Sequence, residues 1–183
     1  MTTILGLSGS LRQASFNAGL LRAAAAAASP DTNVVIGSIH EVPLYNADDE
    51  AAHGIPPAVQ ALKDSLLAAD GLLLVTPEYN NGIPGVFKNA IDWMSRPAND
   101  IPRHFGGKPV ALLGASPGGF GTVLSQNDWL PVLRTLGTRH WAAGRMLVAR
   151  AGTVFDRDGN LTDEATLARL GDFMAGFAGF IES

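Results

Sequence analysis

Short, continuously apolar runs alternate with longer helix-period segments along almost the whole chain, and this alternation limits the possible folds severely. The apolar runs are TTILGLS (2–8), NVVIGSI (33–39), GLLLVT (71–76), PVALLGAS (109–116) and RMLVA (145–149). Between and after them come FNAGLLRAAAAAAS (16–29), PPAVQALKDSLLAAD (56–70), GVFKNAIDWMSR (85–96), TVLSQNDWLPVLRTLG (122–137) and TDEATLARLGDFMAGFAGFI (162–181). A strand apolar at nearly every position is buried on both faces, which requires a parallel sheet covered by helices on either side. Repeated β-α units therefore predict a doubly wound α/β sandwich. A chain of 183 residues suits one domain spanning 1–183.

Turn residues agree with these boundaries. Ser29-Pro30-Asp31, Asn81-Gly82, Gly106-Gly107-Lys108-Pro109 and Asp158-Gly159-Asn160 all fall between runs. Pro56 and Pro84 can each start a helix, where a missing N–H costs nothing. Pro131 conflicts with its segment, so that helix should kink there or begin later.

Several functional classes fall away. A net charge of -4 without a block of Lys and Arg lacks the electrostatic footprint of a nucleic-acid binder. The absence of cysteine removes disulfides, thiolate nucleophiles and Cys-ligated metals. MTTILGLSGSLR has no basic segment before its short apolar run, and the Ala-rich segment is broken by Arg22, so a cytoplasmic protein without membrane insertion is expected.

Ligands of open parallel sheets bind beyond the carboxyl ends of the strands. The connections there read SGSLRQASFN, PEYNNGIPG and SPGGFG, longer and more polar than turns require. The first offers hydroxyls at Ser8, Ser10 and Ser15, the Asn17 amide and the Arg12 guanidinium at the start of a helix, a cup suited to phosphate. The same residues also fit a plain helix start, with Ser15 as N-cap and Arg12 in solvent. In the second, Glu78, Tyr79 and Asn80 stand between Pro77 and a turn, where a planar heterocycle can lie against the loop. In the third, Gly114-Ala115-Ser116-Pro117-Gly118 matches a nucleophile elbow formally. Pro117, however, has no N–H for an oxyanion hole, and His140 precedes a strand and should emerge at the wrong end of the sheet. Glycines that let a backbone approach a flat ligand are the better reading.

Taken together, GSLR with SFN, TPEYN with GIPG and KNAIDW, and SPGGFG resemble the NADPH-dependent FMN reductase family, flavodoxin-like flavoproteins that include quinone, chromate and azo-dye reductases. The resemblance covers roughly residues 2–150. It implies a five-stranded parallel sheet of order 2-1-3-4-5 with helices on both faces. It further implies that Ser10, Arg12, Ser15 and Asn17 hold the FMN phosphate, with Leu11 and Phe16 beside them. Pro77, Glu78, Tyr79 and Asn80 would border the ribityl chain and ring, and Ser116, Pro117, Gly118 and Gly119 would flank the ring from the other side. The implied function is NAD(P)H-dependent oxidation of a nicotinamide by bound FMN, with NADPH or NADH as co-substrate and a small molecule as acceptor. Hydride passes to flavin N5 in a ping-pong cycle that needs no catalytic side chain and no metal. A homodimer or homotetramer is implied as well.

Some residues carry expectations of their own. Glu78 should matter through its backbone more than its charge. His40, His53, His104 and His140 are too scattered to ligate a metal and should be surface residues. Trp93 belongs to the core or, following the family's habit, to a subunit interface. The competing reading is a flavodoxin-type electron carrier, which would dock partners through an acidic face; Arg12, Lys88, Arg96 and Arg103 near the site argue for a reductase taking an anionic dinucleotide. A dinucleotide-binding Rossmann domain with Glu41 as its ribose acid lacks the glycine fingerprint.

Overall fold

The computed structural model describes residues 1–183. In chain order the elements are β1 (Thr2–Ser8), α1 (Phe16–Ala27), β2 (Thr32–Gly37), α2 (Ala47–His53), α3 (Pro57–Ala68), β3 (Gly71–Val75) and α4 (Gly85–Met94). They continue with α5 (Ile101–His104), β4 (Pro109–Ala115), α6 (Val123–Thr135), β5 (Arg139–His140), β6 (Met146–Val148) and α7 (Glu164–Glu182). All pairings are parallel, in the order β2-β1-β3-β4-β5 with β6 also on β4. This is the order that the resemblance implies.

The central strands are apolar throughout because alternate side chains serve different cores. Ile4, Leu73, Val75, Ala111 and Leu113 pack with α1 and α7. Leu5, Leu7, Leu72, Leu74, Val110 and Leu112 pack on the other face with α3, α4 and α6. Burying each such side chain contributes about 1.5–3 kcal/mol, so both layers are needed to hold the sheet. β2 differs: it is an edge strand, and its Val35 and Ile36 are 40% and 49% exposed.

Four features depart from the sequence reading. The fifth strand is divided, since β5 pairs with the start of β4 at Pro109–Val110 and β6 with its end at Leu113–Ala115, the chain between them looping out through Trp141 to Arg145. The helix α2, ADDEAAH, is additional; it has no buried residue and hence no apolar period, and is set by an Asn46 side-chain cap and three acidic residues in its first turn. The helix α6 runs through Pro131; the carbonyl that loses a donor is that of exposed Asn127, where water can replace it. Finally, Trp93 is 1% exposed within this single chain, its Nε1 donating to the Pro43 carbonyl at 2.9 Å, so it is core rather than an interface side chain.

Chain order reverses between β1 and β3, the neighbours at the centre of the sheet. Their connections leave side by side, with Gly9 N–H still donating to Val75 O at 3.0 Å. A Cβ on Gly9 would stand 2.3 Å from Phe87 Cδ1 and 2.9 Å from Pro77 Cδ, so only glycine permits this approach.

Candidate functional site

The loop from Gly9 to Ser15 delivers the chain into α1. Ser15 is the N-cap, its Oγ accepting from Ala18 N–H at 3.2 Å, while the N–H groups of Phe16 and Asn17 have no acceptor in the chain. Ser10 is buried and Arg12 exposed without an ion pair. Ser8 Oγ is buried without a partner, and strand alternation with Ile4 and Gly6 puts it on the α1 face. Each of these groups is able to donate a hydrogen bond, which fits an anion at a helix N-terminus. The helix-cap reading of Ser15 is met, and the cap leaves the next two N–H groups without an acceptor.

The Asn17 side chain ties α1 to the end of β4. Its Nδ2 donates to Ala115 O and its Oδ1 accepts from Ala115 N–H, both at 2.9 Å. At 4% exposure this amide satisfies a strand-end peptide that would otherwise be buried unpaired, while the Asn17 main-chain N–H has no acceptor in the chain.

In the second loop, Tyr79 and Gly82 form an antiparallel bridge with Tyr79 N to Gly82 O at 3.2 Å and Gly82 N to Tyr79 O at 3.1 Å. Asn80 and Asn81 have φ of 51° and 64°, so the turn centres on Asn80-Asn81, one residue before the expected Asn81-Gly82. Both central residues with positive φ make a type I′ turn, for which Asn is suited. Glu78 corrects an expectation. Its Oε2 accepts from Leu124 N–H at 2.8 Å and Ser125 N–H at 3.1 Å, supplying the cap that α6 lacks from its own N-cap Thr122. The root of the loop is fixed by Thr76, whose Oγ1 donates to Pro77 O and accepts from Trp129 Nε1 at 3.1 Å, with Ser125 Oγ at 2.8 Å.

The third loop is closed by Ser116 Oγ donating to Gly121 O at 2.5 Å. His140 lies beside Val110, at the start of β4, whereas Ser116 follows its end; a Ser-His pair is not assembled. Pro117, Gly118 and Gly119 are exposed.

Ser10, Arg12, Ser15, Phe16 and Asn17 line one cavity with Pro77, Glu78 and Tyr79 and with Ala115, Ser116 and Pro117, about 100 Å³ in volume. Three segments separated by some forty to sixty positions in sequence thus meet at the switch point of the sheet, where α/β proteins bind ligands. Leu11, Asn80, Gly118 and Gly119 stand outside this enclosed part, all exposed. A larger groove of about 660 Å³ lies at the opposite end of the sheet around Asp70, Arg103, Lys108 and Glu182, but it gathers none of these loops.

The supposed basic rim is smaller than expected. Lys88 pairs with Asp92 at 2.7 Å and Arg96 with Glu50 at 2.9 Å, while Arg103 belongs to the groove at the far end; only Arg12 lines the cavity. Another residue joins the third loop through its main chain. Arg150, in a left-handed conformation at φ 51°, donates its N–H to Gly118 O at 2.8 Å. Of the histidines, His104 is buried at 4% exposure with Nδ1 3.0 Å from Asp100 O, contrary to a surface assignment.

Known proteins share both sequence and architecture with this chain. The family model described as NADPH-dependent FMN reductase matches residues 2–153. An NAD(P)H-dependent FMN reductase of Pseudomonas aeruginosa is 42% identical over 161 residues, 88% of this chain and 85% of the relative. A 2-hydroxy-1,4-benzoquinone reductase of a Burkholderia species is 38% identical over 173 residues, 94% and 92% of the two chains. Among solved structures, the flavoenzyme NAD(P)H:(acceptor) oxidoreductase of Paracoccus denitrificans superposes with a TM-score of 0.87 at 34% identity, covering 100% of this chain and 98% of its own.

Proposed function

Because the chain belongs to the NADPH-dependent FMN reductase family and is thereby an NAD(P)H-dependent oxidoreductase with FMN as cofactor, we propose that it reduces small quinones and holds FMN at the cavity between the three loops. FMN, when bound, supplies a ring that takes a hydride from the nicotinamide and passes electrons to an acceptor. The chain's own residues bind and orient. Ser10, Arg12, Ser15 and the N–H groups of Phe16 and Asn17 receive the phosphate, with Leu11 alongside. Pro77, Glu78, Tyr79 and Asn80 form one wall, and Ser116, Pro117, Gly118 and Gly119 the other. The observation that carries this reading is the single cavity lined from all three loops. Quinone as acceptor is supported by relatives named as quinone reductases, among them one from Escherichia coli at 36% identity over 182 residues.

The proposed protein is one flavodoxin-like domain, cytoplasmic, and a homodimer or homotetramer. No helix is long and apolar enough to cross a membrane. Phe120 and Leu124, 82% and 44% exposed, are apolar side chains that a second subunit could cover. The test is an absorption spectrum of the purified protein followed by NADPH oxidation with a benzoquinone. A flavin spectrum with quinone-dependent NADPH consumption is expected; a colourless protein that does not take up FMN would refute the reading.

A further inference from the structure

The turn Asp156–Asn160 lies beyond the segment matched by the family model, which ends at 153, yet it packs directly behind the N-terminus of α1. It is stiff by construction. Asp156 Oδ1 accepts from Asp158 N–H at 2.9 Å and Asn160 N–H at 2.8 Å, Asn160 Nδ2 donates to Oδ2 at 3.1 Å, and Asp156 N–H donates to Asn160 O at 2.9 Å. Such a web makes the turn a rigid body rather than a loose connection.

Two glycines let this body touch α1 backbone to backbone. Gly159 has φ of +77°, and a Cβ on it would stand 3.0 Å from the Ala14 carbonyl carbon and 3.3 Å from the carbonyl oxygens of Ala14 and Ser15. A Cβ on Gly19, one turn into α1, would come within 1.7 Å of Gly159 O. Arg22 closes the contact, its Nη2 donating to Asn160 Oδ1 at 3.0 Å and Gly159 O at 3.4 Å. The peptides so held are those immediately before the free N–H groups of Phe16 and Asn17.

From this geometry we propose that the turn Asp156–Asn160 is a positioning element for the cofactor phosphate, acting through the Ala14–Ser15 main chain. The inference rests on reading the α1 N-terminus as the phosphate cup. Anion binding at a helix end depends on where the first N–H groups point and fades within one turn. A rigid support behind the 14–15 peptides fixes that direction. Phe16, whose ring lies 5.1 Å from that of Phe155, adds a second contact between the same two segments. No hydrogen bond joins the turn to the residues of the second and third loops that line the cavity, so its influence should be greatest at the phosphate end of the cofactor.

That preference is what the experiment reads. Apo-protein is titrated with FMN and with riboflavin, which lacks the phosphate, by quenching of flavin fluorescence. Wild type should prefer FMN. In Gly159→Ala the FMN affinity should fall by roughly tenfold while riboflavin binding stays within about twofold, the scale of a misaligned helix-end contact. Gly19→Ala, which pushes on the turn from the other side, and Arg22→Ala, which removes a tie without inserting an atom, should shift the ratio in the same direction by about threefold or more. Circular dichroism identifies which variants fold, and if Gly159→Ala does not, the other two decide. An unchanged FMN-to-riboflavin ratio in folded variants, or equal loss of both flavins, overturns the proposal. A wild type that binds both flavins equally would instead remove the phosphate cup itself.

Discussion

The Glu78 carboxylate and the Leu124 amide, forty-six positions apart, form a 2.8 Å hydrogen bond that joins the β3–α4 loop to the first turn of α6. A second bond from Ser125 N–H to the same oxygen makes Glu78 the cap of a helix it does not belong to. The negative charge also lies at the positive end of the helix dipole.

Removing this cap should cost stability. Glu78→Ala is expected to lower the unfolding free energy by about 1–2 kcal/mol, the range of a lost N-cap, and Glu78→Gln, which keeps an acceptor oxygen, by less. Urea denaturation followed by Trp fluorescence measures both. Equal stability of all three proteins would mean that water caps α6 as well as Glu78 does.

A charge at the other helix start should act on binding instead. Aspartate is as good an N-cap as serine, so Ser15→Asp should retain the fold while its carboxylate repels the phosphate. The expected result is a native far-UV spectrum with FMN binding abolished. Normal FMN binding by this variant would leave Ser15 as a helix cap alone.

Ser116 should prove inert as a nucleophile. Its hydroxyl is donated to Gly121 O and no histidine stands beside it. Ser116→Ala should therefore leave any trace ester hydrolysis unchanged and act only by loosening the Ser116–Gly121 loop. Labelling of Ser116 in wild type by a serine-directed phosphonate would contradict this.

Steady-state kinetics should reflect a single opening. With FMN held as proposed in the cavity walled by three loops, dinucleotide and acceptor would reach the same face of the ring in turn. Double-reciprocal plots for NADPH and a quinone should be parallel, and NADPH alone, under anaerobic conditions, should bleach the flavin. Intersecting lines with no bleaching until quinone is added would require both substrates to bind together.

Acid should destabilise the protein through identifiable carboxylates. Thr166 Oγ1 and N–H donate to Asp163 at 2.6 and 2.8 Å, and these bonds, the hydroxyl's first, hold Asp163 below the usual carboxylate range. Bonds from Asn160, chiefly its main-chain N–H, do the same for Asp156. A depressed folded value means that the stabilisation is complete above the unfolded value of about 3.9 and is lost as pH falls through the folded one. Through these two carboxylates the urea midpoint should drop below about pH 4, beyond the gentler loss from about pH 6.5 downward that His140 adds because burial holds its imidazole below the usual value. Asp163→Asn, which retains a capping oxygen, should make that drop shallower; an identical acid limb would assign the loss to other groups.

The sequence alone determined the layered β-α architecture, because both-face burial of a strand and the one-sided period of a helix are local patterns that any stretch of chain displays. The three loops were equally visible as loops, since each is longer and more polar than a connection between a buried strand and a helix requires. What only the tertiary structure decided are the partners those residues take. Asn17 is held by Ala115, Glu78 by Leu124, Trp93 by Pro43 and Gly159 by Ala14, pairs separated by tens of residues to well over one hundred. Their meeting depends on strand order and on which helix lies on which face, and a hydrogen-bonding side chain looks the same in sequence whether it faces a ligand, water or a buried peptide. For the same reason α2 and the divided fifth strand were not visible: the one has no apolar period, and the other is set by the neighbour it pairs with.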